Sequence, residues 1–239
     1  MQSRYKTEQE APIVAASPLP GTVARTPGLR RVPAGGLYAI TGGPREQLLS
    51  SAHTVLKAGA RMLQYRDLLA DPAERLEMAR ILVAAAREHD VPVIIDHDAE
   101  LMQACGAQGV HLGAHDPDPA RIRRMYGPDI IIGVSCYGDI ARARRMAGLD
   151  VDYLSFGAFH PSTGKPEARR IEPSVLAEAR GLGPAVVAIG GITPDNGASL
   201  IAAGADFLAS LSALFLADDP HDATWRFQSL FDARRELPA

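Results

Sequence analysis

The chain has 239 residues, enough for one large domain or two small ones, and its 46% hydrophobic fraction can supply a sizeable core. A formal net charge of -3 provides no basic field for nucleic acid, and no apolar run is long enough to span a membrane. Two cysteines, Cys105 and Cys136, are too few for a disulfide framework and suit a reducing cytoplasm.

Residues 1–33 mix charges, Ser, Pro and Gly with little periodicity ("SPLPGTVARTPGLRRVPAGG") and lack the apolar core of a secretory signal. They read as a mobile N-terminal extension, with an arm packed on a partner subunit as the alternative. Residues 34–239 then form the folded domain.

Along that domain an Ala-rich segment repeatedly ends in glycine and a short apolar run follows, as in "KAGARMLQYR", "QACGAQGVHLG", "MAGLDVDYLSFG" and "AAGADFLASLS". Glycine fits a left-handed helix cap, and the apolar run fits a strand buried on both faces. Strands are expected at "LYAIT" from Leu37, "RMLQYR" from Arg61, "PVIID" from Pro92 and "GVHLG" from Gly109. The others are "IIIGVS" from Ile130, "YLSFG" from Tyr153, "AVVAIG" from Ala185 and "FLASLS" from Phe207. The clearest helix is "PAERLEMARILVAAAREHD", with Leu76, Ala79, Leu82, Val83 and Ala86 on one face. Eight strands alternating with helices imply an α/β fold, a closed (β/α)8 TIM barrel. A doubly wound open sheet is the runner-up, but "AITGGPREQ" is a poor match to its glycine-rich phosphate loop.

In such a barrel the chemistry belongs at the C-terminal ends of the strands. Gln64 and Arg66 end the second strand and, two apart, share a face. Asp96 and His97 end the third; Asp98 reads as the N-cap of the next helix. Asp116 follows the fourth strand, as a ligand or as the opening of a turn before Pro117. His111, between apolar neighbours, reads as a satisfied core histidine, and Ser135 ends the fifth strand. "PSTGK" (Ser162, Thr163, Gly164, Lys165) can form a nest of N–H groups around a phosphate. "GGIT" and "SLSA", after strands seven and eight, sit where barrels commonly bind phosphate. Two anion-handling regions in one mouth suggest phosphorylated small-molecule substrates.

In order and spacing, "LQYRD", "GVHLG…D", "GVSCY", "FGAFHPSTGKP" and "AIGGITPDN…AGADFLA" resemble thiamine-phosphate synthases (thiamine-phosphate pyrophosphorylases) from about Leu37 to Phe215. The resemblance implies a transferase that joins a hydroxymethylpyrimidine diphosphate to a thiazole phosphate and releases diphosphate. It also implies Mg2+, with Asp116 as a ligand. Gln64 and Arg66 match residues that hold the pyrimidine diphosphate, Ser135 a pyrimidine contact, and Lys165 the lysine that reaches the diphosphate. Ser162, Thr163 and Gly164 match the thiazole-phosphate loop, and Gly191, Leu211 and Ser212 its remaining contacts. Arg66, Ser135 and Lys165 are thus the implied catalytic residues. The resemblance leaves the oligomeric state open, a homodimer included.

Four positions depart from the family. Leu68 stands where a lysine is usual, and Gly164 where threonine is common. Asp96-His97 replaces Asn-Asp, so the usual metal aspartate is a histidine. Magnesium prefers oxygen, which makes His97 a poor ligand and Asp96 the nearest carboxylate to take over. Strand alternation points the two to opposite faces, so Asp96 needs a local bend to reach the metal. The alternatives are an isomerase like the thiazole tautomerases, which place a histidine where Tyr137 stands, and a non-catalytic thiazole-phosphate binder.

Overall fold

The structure is a computed structural model and describes residues 32–67, 69–161 and 169–235. Its eight strands are β1 (Gly36–Ile40), β2 (Met62–Tyr65), β3 (Val93–Asp96), β4 (Gly109–Leu112), β5 (Ile131–Tyr137), β6 (Tyr153–Phe156), β7 (Ala185–Ile189) and β8 (Phe207–Ser210). All pair in parallel in chain order, and β1 pairs with β8 through Leu37 opposite Leu208, which closes the barrel. The eight strands and their barrel closure are those expected from the sequence.

The helices form where local chemistry starts and stops them. Pro72 opens α2 (Pro72–Arg87), and the Asp71 carboxylate accepts from the N–H groups of Ala73 and Glu74. Ala79, Leu82, Val83 and Ala86 of this helix are buried against the barrel. Asp98 caps α3 (Ala99–Cys105) by accepting from the Leu101 N–H at 2.8 Å, and Gly106 ends it at φ 75. Gly148, after α5 (Ile140–Ala147), differs from the expected left-handed cap: its φ is -74, and the positive φ falls on Asp150. The C-terminal helix α9 (Pro220–Arg235) packs on β1 and on α1 (Arg45–Lys57), covering the seam where the barrel closes.

Two apolar layers result. The larger lies between strands and helices and includes Leu63, Val93, Val110, Val134, Leu154 and Phe227. The smaller fills the barrel with Tyr38, Ile40, Met62, Ile94, Ile131, Tyr153, Val187, Phe207 and Ala209. Inward residues recur every second position, so the next inward residue toward the C-terminal end is polar on several strands. Met62 is followed by Gln64, Ile94 by Asp96, Gly109 by His111, and Tyr153 by Ser155. Among the described residues, no helix is long and apolar enough to cross a membrane.

Candidate active site

The C-terminal mouth gathers most of the polar residues singled out in the sequence. The Arg66 Nε lies 3.3 Å from the Asp96 carboxylate, which is 6% exposed, while the Arg66 side chain is 39% exposed. The guanidinium is thus anchored at its base and open at its tip. Its backbone is fixed too, since Thr41 Oγ1 accepts from the Arg66 N–H at 2.9 Å.

Beside it the chain bends. His97 follows the last residue of β3 with φ 62, a left-handed conformation, and its Nε2 lies 3.6 Å from the Asp96 carboxylate. This local turn overrides the alternation that would have sent the two side chains to opposite faces. The other ring nitrogen, Nδ1, is in close contact with Asp116 Oδ2. Asp116 also accepts from the Gly113 N–H at 2.6 Å. The cap of the next helix, α4 (Pro119–Tyr126), is Asp118. His97 therefore bridges two carboxylates.

These side chains, as arranged, do not fit magnesium. Among the described residues no three His, Cys, Asp or Glu groups are spaced to hold a metal ion. The Asp116 oxygen nearest the site is engaged by an imidazole, and Asp96 by a guanidinium. Magnesium requires near-octahedral oxygen coordination.

Deeper in the barrel, hydrogen bonds connect polar groups in sequence. Gln64 Nε2 donates to Tyr38 Oη at 2.9 Å, and Tyr38 Oη lies 2.8 Å from Tyr153 Oη. Tyr153 Oη is 3.0 Å from His111 Nδ1, and His111 Nε2 is 2.9 Å from Ser135 Oγ. Ser155 Oγ is 3.5 Å beyond. His111 stacks on the Tyr153 ring. Burial, aided by the nearby His97, lowers its pKa to about 4, so its ring is neutral at pH 7. Burial likewise raises both tyrosines well above the usual phenol range. His111 is the satisfied core histidine expected from its sequence neighbours, but its partners are hydroxyls in the barrel. Tyr38 and Tyr153 were missed because each looks like ordinary strand core. The available signal was Gly133: a Cβ there would lie 1.9 Å from Tyr153 Cζ, so the glycine makes room for the ring.

The opposite side of the mouth is a cavity of about 380 Å³ lined by Pro161, Gly191, Ile192, Thr193, Ser212, Ala213 and Leu216. The β7 loop forms its wall. Asn196 Oδ1 accepts from the Thr193 N–H, and its Nδ2 donates to the Gly191 carbonyl. Gly191 has φ 62, and a Cβ there would lie 2.2 Å from the Pro161 carbonyl oxygen, so only glycine permits this approach. Ser212 begins α8 (Ser212–Phe215), whose first N–H groups have no carbonyl before them in the helix. Leu211 packs nearby against the inner cluster. Leu68, Ser162, Thr163, Gly164 and Lys165 lie outside the described residues.

Comparisons agree with this architecture. The thiamine monophosphate synthase family model matches residues 37–214. The chain is 44% identical over 202 residues to a thiamine-phosphate synthase of Methylobacillus flagellatus, covering 84% of this chain and 97% of that one. It is 45% identical over 199 residues to one from Azoarcus sp., with 82% and 97% covered. A thiamine phosphate pyrophosphorylase from Pyrococcus furiosus superimposes with a TM-score of 0.77 at 30% identity, over 86% of this chain and 98% of that one. A 3-hexulose-6-phosphate synthase, at 18% identity and a TM-score of 0.62, shares the fold. The family match spans all eight strands and both sides of the mouth, and on that extent the chain belongs to the thiamine monophosphate synthase family.

Proposed function

We propose that this barrel is a thiamine-phosphate synthase that couples hydroxymethylpyrimidine diphosphate to thiazole phosphate and releases diphosphate. The supporting observation is one mouth with two chemically different sides: a guanidinium anchored by a buried carboxylate, and a glycine-lined cavity at the β7 and β8 loops. The thiazole phosphate occupies the second side, where N–H groups and the Ser212 hydroxyl suit an anion. The pyrimidine lies over Ser135, and its diphosphate reaches Arg66.

The bond from the pyrimidinylmethyl carbon to the diphosphate oxygen breaks, and its electron pair leaves with the diphosphate. The thiazole nitrogen then donates its lone pair to that carbon. Arg66 meets the charge growing on the leaving group through charge-assisted hydrogen bonds, held in place before the reaction by Asp96. Lys165 adds a second cation by the family correspondence. Holding both substrates in one mouth converts a bimolecular encounter into a local attack.

Tyr137 stands where a tautomerase histidine would act, yet its hydroxyl accepts from the Ala114 N–H at 3.2 Å, which gives an isomerase reading no support. The test is incubation of purified protein with both substrates, with Mg2+ or Mn2+. Thiamine phosphate and diphosphate should form in equal amounts. No product with any divalent metal would refute the assignment.

A further inference from the structure

We propose that Tyr38 and Tyr153 are positioning residues: with Gln64 and His111 they form a one-way hydrogen-bond chain that fixes the tautomer of His111 and turns the Ser135 hydroxyl proton toward the substrate. The part that concerns substrate rests on the function proposed above; the direction of the chain does not.

The direction follows from counting protons. The Gln64 amide donates to Tyr38 Oη, and the acceptor within reach of the Tyr38 proton is Tyr153 Oη, 2.8 Å away. Tyr153 receives that bond and has one proton left, and the acceptor within reach is His111 Nδ1 at 3.0 Å. A neutral imidazole that accepts at Nδ1 carries its proton on Nε2. That proton points at Ser135 Oγ, 2.9 Å away. Ser135 is thereby occupied as an acceptor, and its hydroxyl proton is free to turn. Ser155 Oγ, at 3.5 Å, is a weak partner for it. A ring nitrogen of a pyrimidine, a lone-pair acceptor, is a better one.

The surrounding packing keeps the chain single-valued. Tyr38, Tyr153 and Gln64 are each less than 5% exposed, so water does not compete for their hydrogens. The two phenol rings meet edge to face at 5.7 Å, and the Tyr153 ring fills the space that Gly133 leaves by lacking a side chain. Arg142 fixes the Ser135 end, because its Nε donates to the Ser135 carbonyl at 2.8 Å and its other arm to the Gly113 carbonyl. The reverse direction requires Gln64 to turn its carbonyl to Tyr38, or Tyr38 to accept two bonds and leave its own buried proton without an acceptor. His111 would then hold its proton on Nδ1, and Ser135 would donate into the ring instead of toward substrate.

The experiment is nitrogen NMR on the full chain labelled with 15N-histidine at pH 7, with the His111 signals identified by their loss in His111→Gln. The expected spectrum shows a pyridine-like Nδ1 and a protonated Nε2. Tyr153→Phe keeps the ring and removes one hydroxyl. It should give mixed tautomers and lower kcat by about tenfold, with KM for thiazole phosphate unchanged. Gln64→Glu, whose carboxylate only accepts, should move the proton to Nδ1 and tests the chain even if Tyr153→Phe fails to fold. A wild-type ring protonated on Nδ1 overturns the proposal. So does a Tyr153→Phe protein that loses activity with its tautomer intact, or one that keeps both. The expected tautomers in a wild-type protein that forms no thiamine phosphate would refute the functional reading and leave the direction of the chain standing.

Discussion

His111 should make this barrel labile to acid in a way that one substitution removes. Its ring is buried with both nitrogens engaged by hydroxyls, and its pKa falls from 6.5 to about 4. Between these values the unfolded chain binds a proton that the folded ring refuses, so stability falls as pH falls through that window. The slope reaches about 1.4 kcal/mol per pH unit, and integration from pH 7 to pH 4.5 gives a loss of about 2 kcal/mol from this one group. Carboxylates titrate in the same range, so the comparison is with His111→Gln, which shares them. Urea unfolding followed by circular dichroism at both pH values gives the two stabilities. Wild type should lead at pH 7, because the variant loses buried hydrogen bonds, and its lead should shrink by about 2 kcal/mol at pH 4.5. Parallel pH dependence would refute the argument, and a widening lead would mean that the folded ring binds its proton better than the unfolded chain does.

Gly133→Ala puts a methyl group 1.9 Å from Tyr153 Cζ and should cost about 1–3 kcal/mol by thermal unfolding. Gly181→Ala, whose added carbon meets nothing nearer than 3.9 Å, is the control and should leave the midpoint nearly unchanged. His97→Asp restores an oxygen donor beside Asp116 and should tighten Mg2+ binding about tenfold by calorimetry without substrate; unchanged affinity would mean that Asp116 and Asp96 are held apart from any metal.

The barrel was legible because its signals are local and repeated. Each strand is a short apolar run, several carry polar residues toward the C-terminal end, and period two alone places Gln64 and Arg66 on one face. Asp98 was legible for the same reason, since a cap and its helix are adjacent in sequence. The illegible parts depend on distant or conformational facts. Tyr38 and Tyr153 meet across 115 positions, and nothing in "LYAIT" or "YLSFG" states that one phenol needs the other. Asp116 and Asp118 look equivalent on paper; only the folded loop shows that the second caps the helix and the first faces His97. The bend at His97 was recognised as a requirement, but its means, a positive φ on a residue other than glycine, has no pattern of its own.

That bend also sets which substitutions position 97 can sample. A left-handed backbone costs most side chains roughly 1–2 kcal/mol, while Asn, Asp and His are enriched there. The residues that enter cheaply are therefore a carboxylate, an amide, an imidazole or glycine, with glutamate and the β-branched residues discouraged. The backbone acts as a filter on ligand chemistry: exchange among oxygen donor, nitrogen donor and no donor at all proceeds without refolding the strand end. Variants that change the donor at this position are best drawn from that short alphabet.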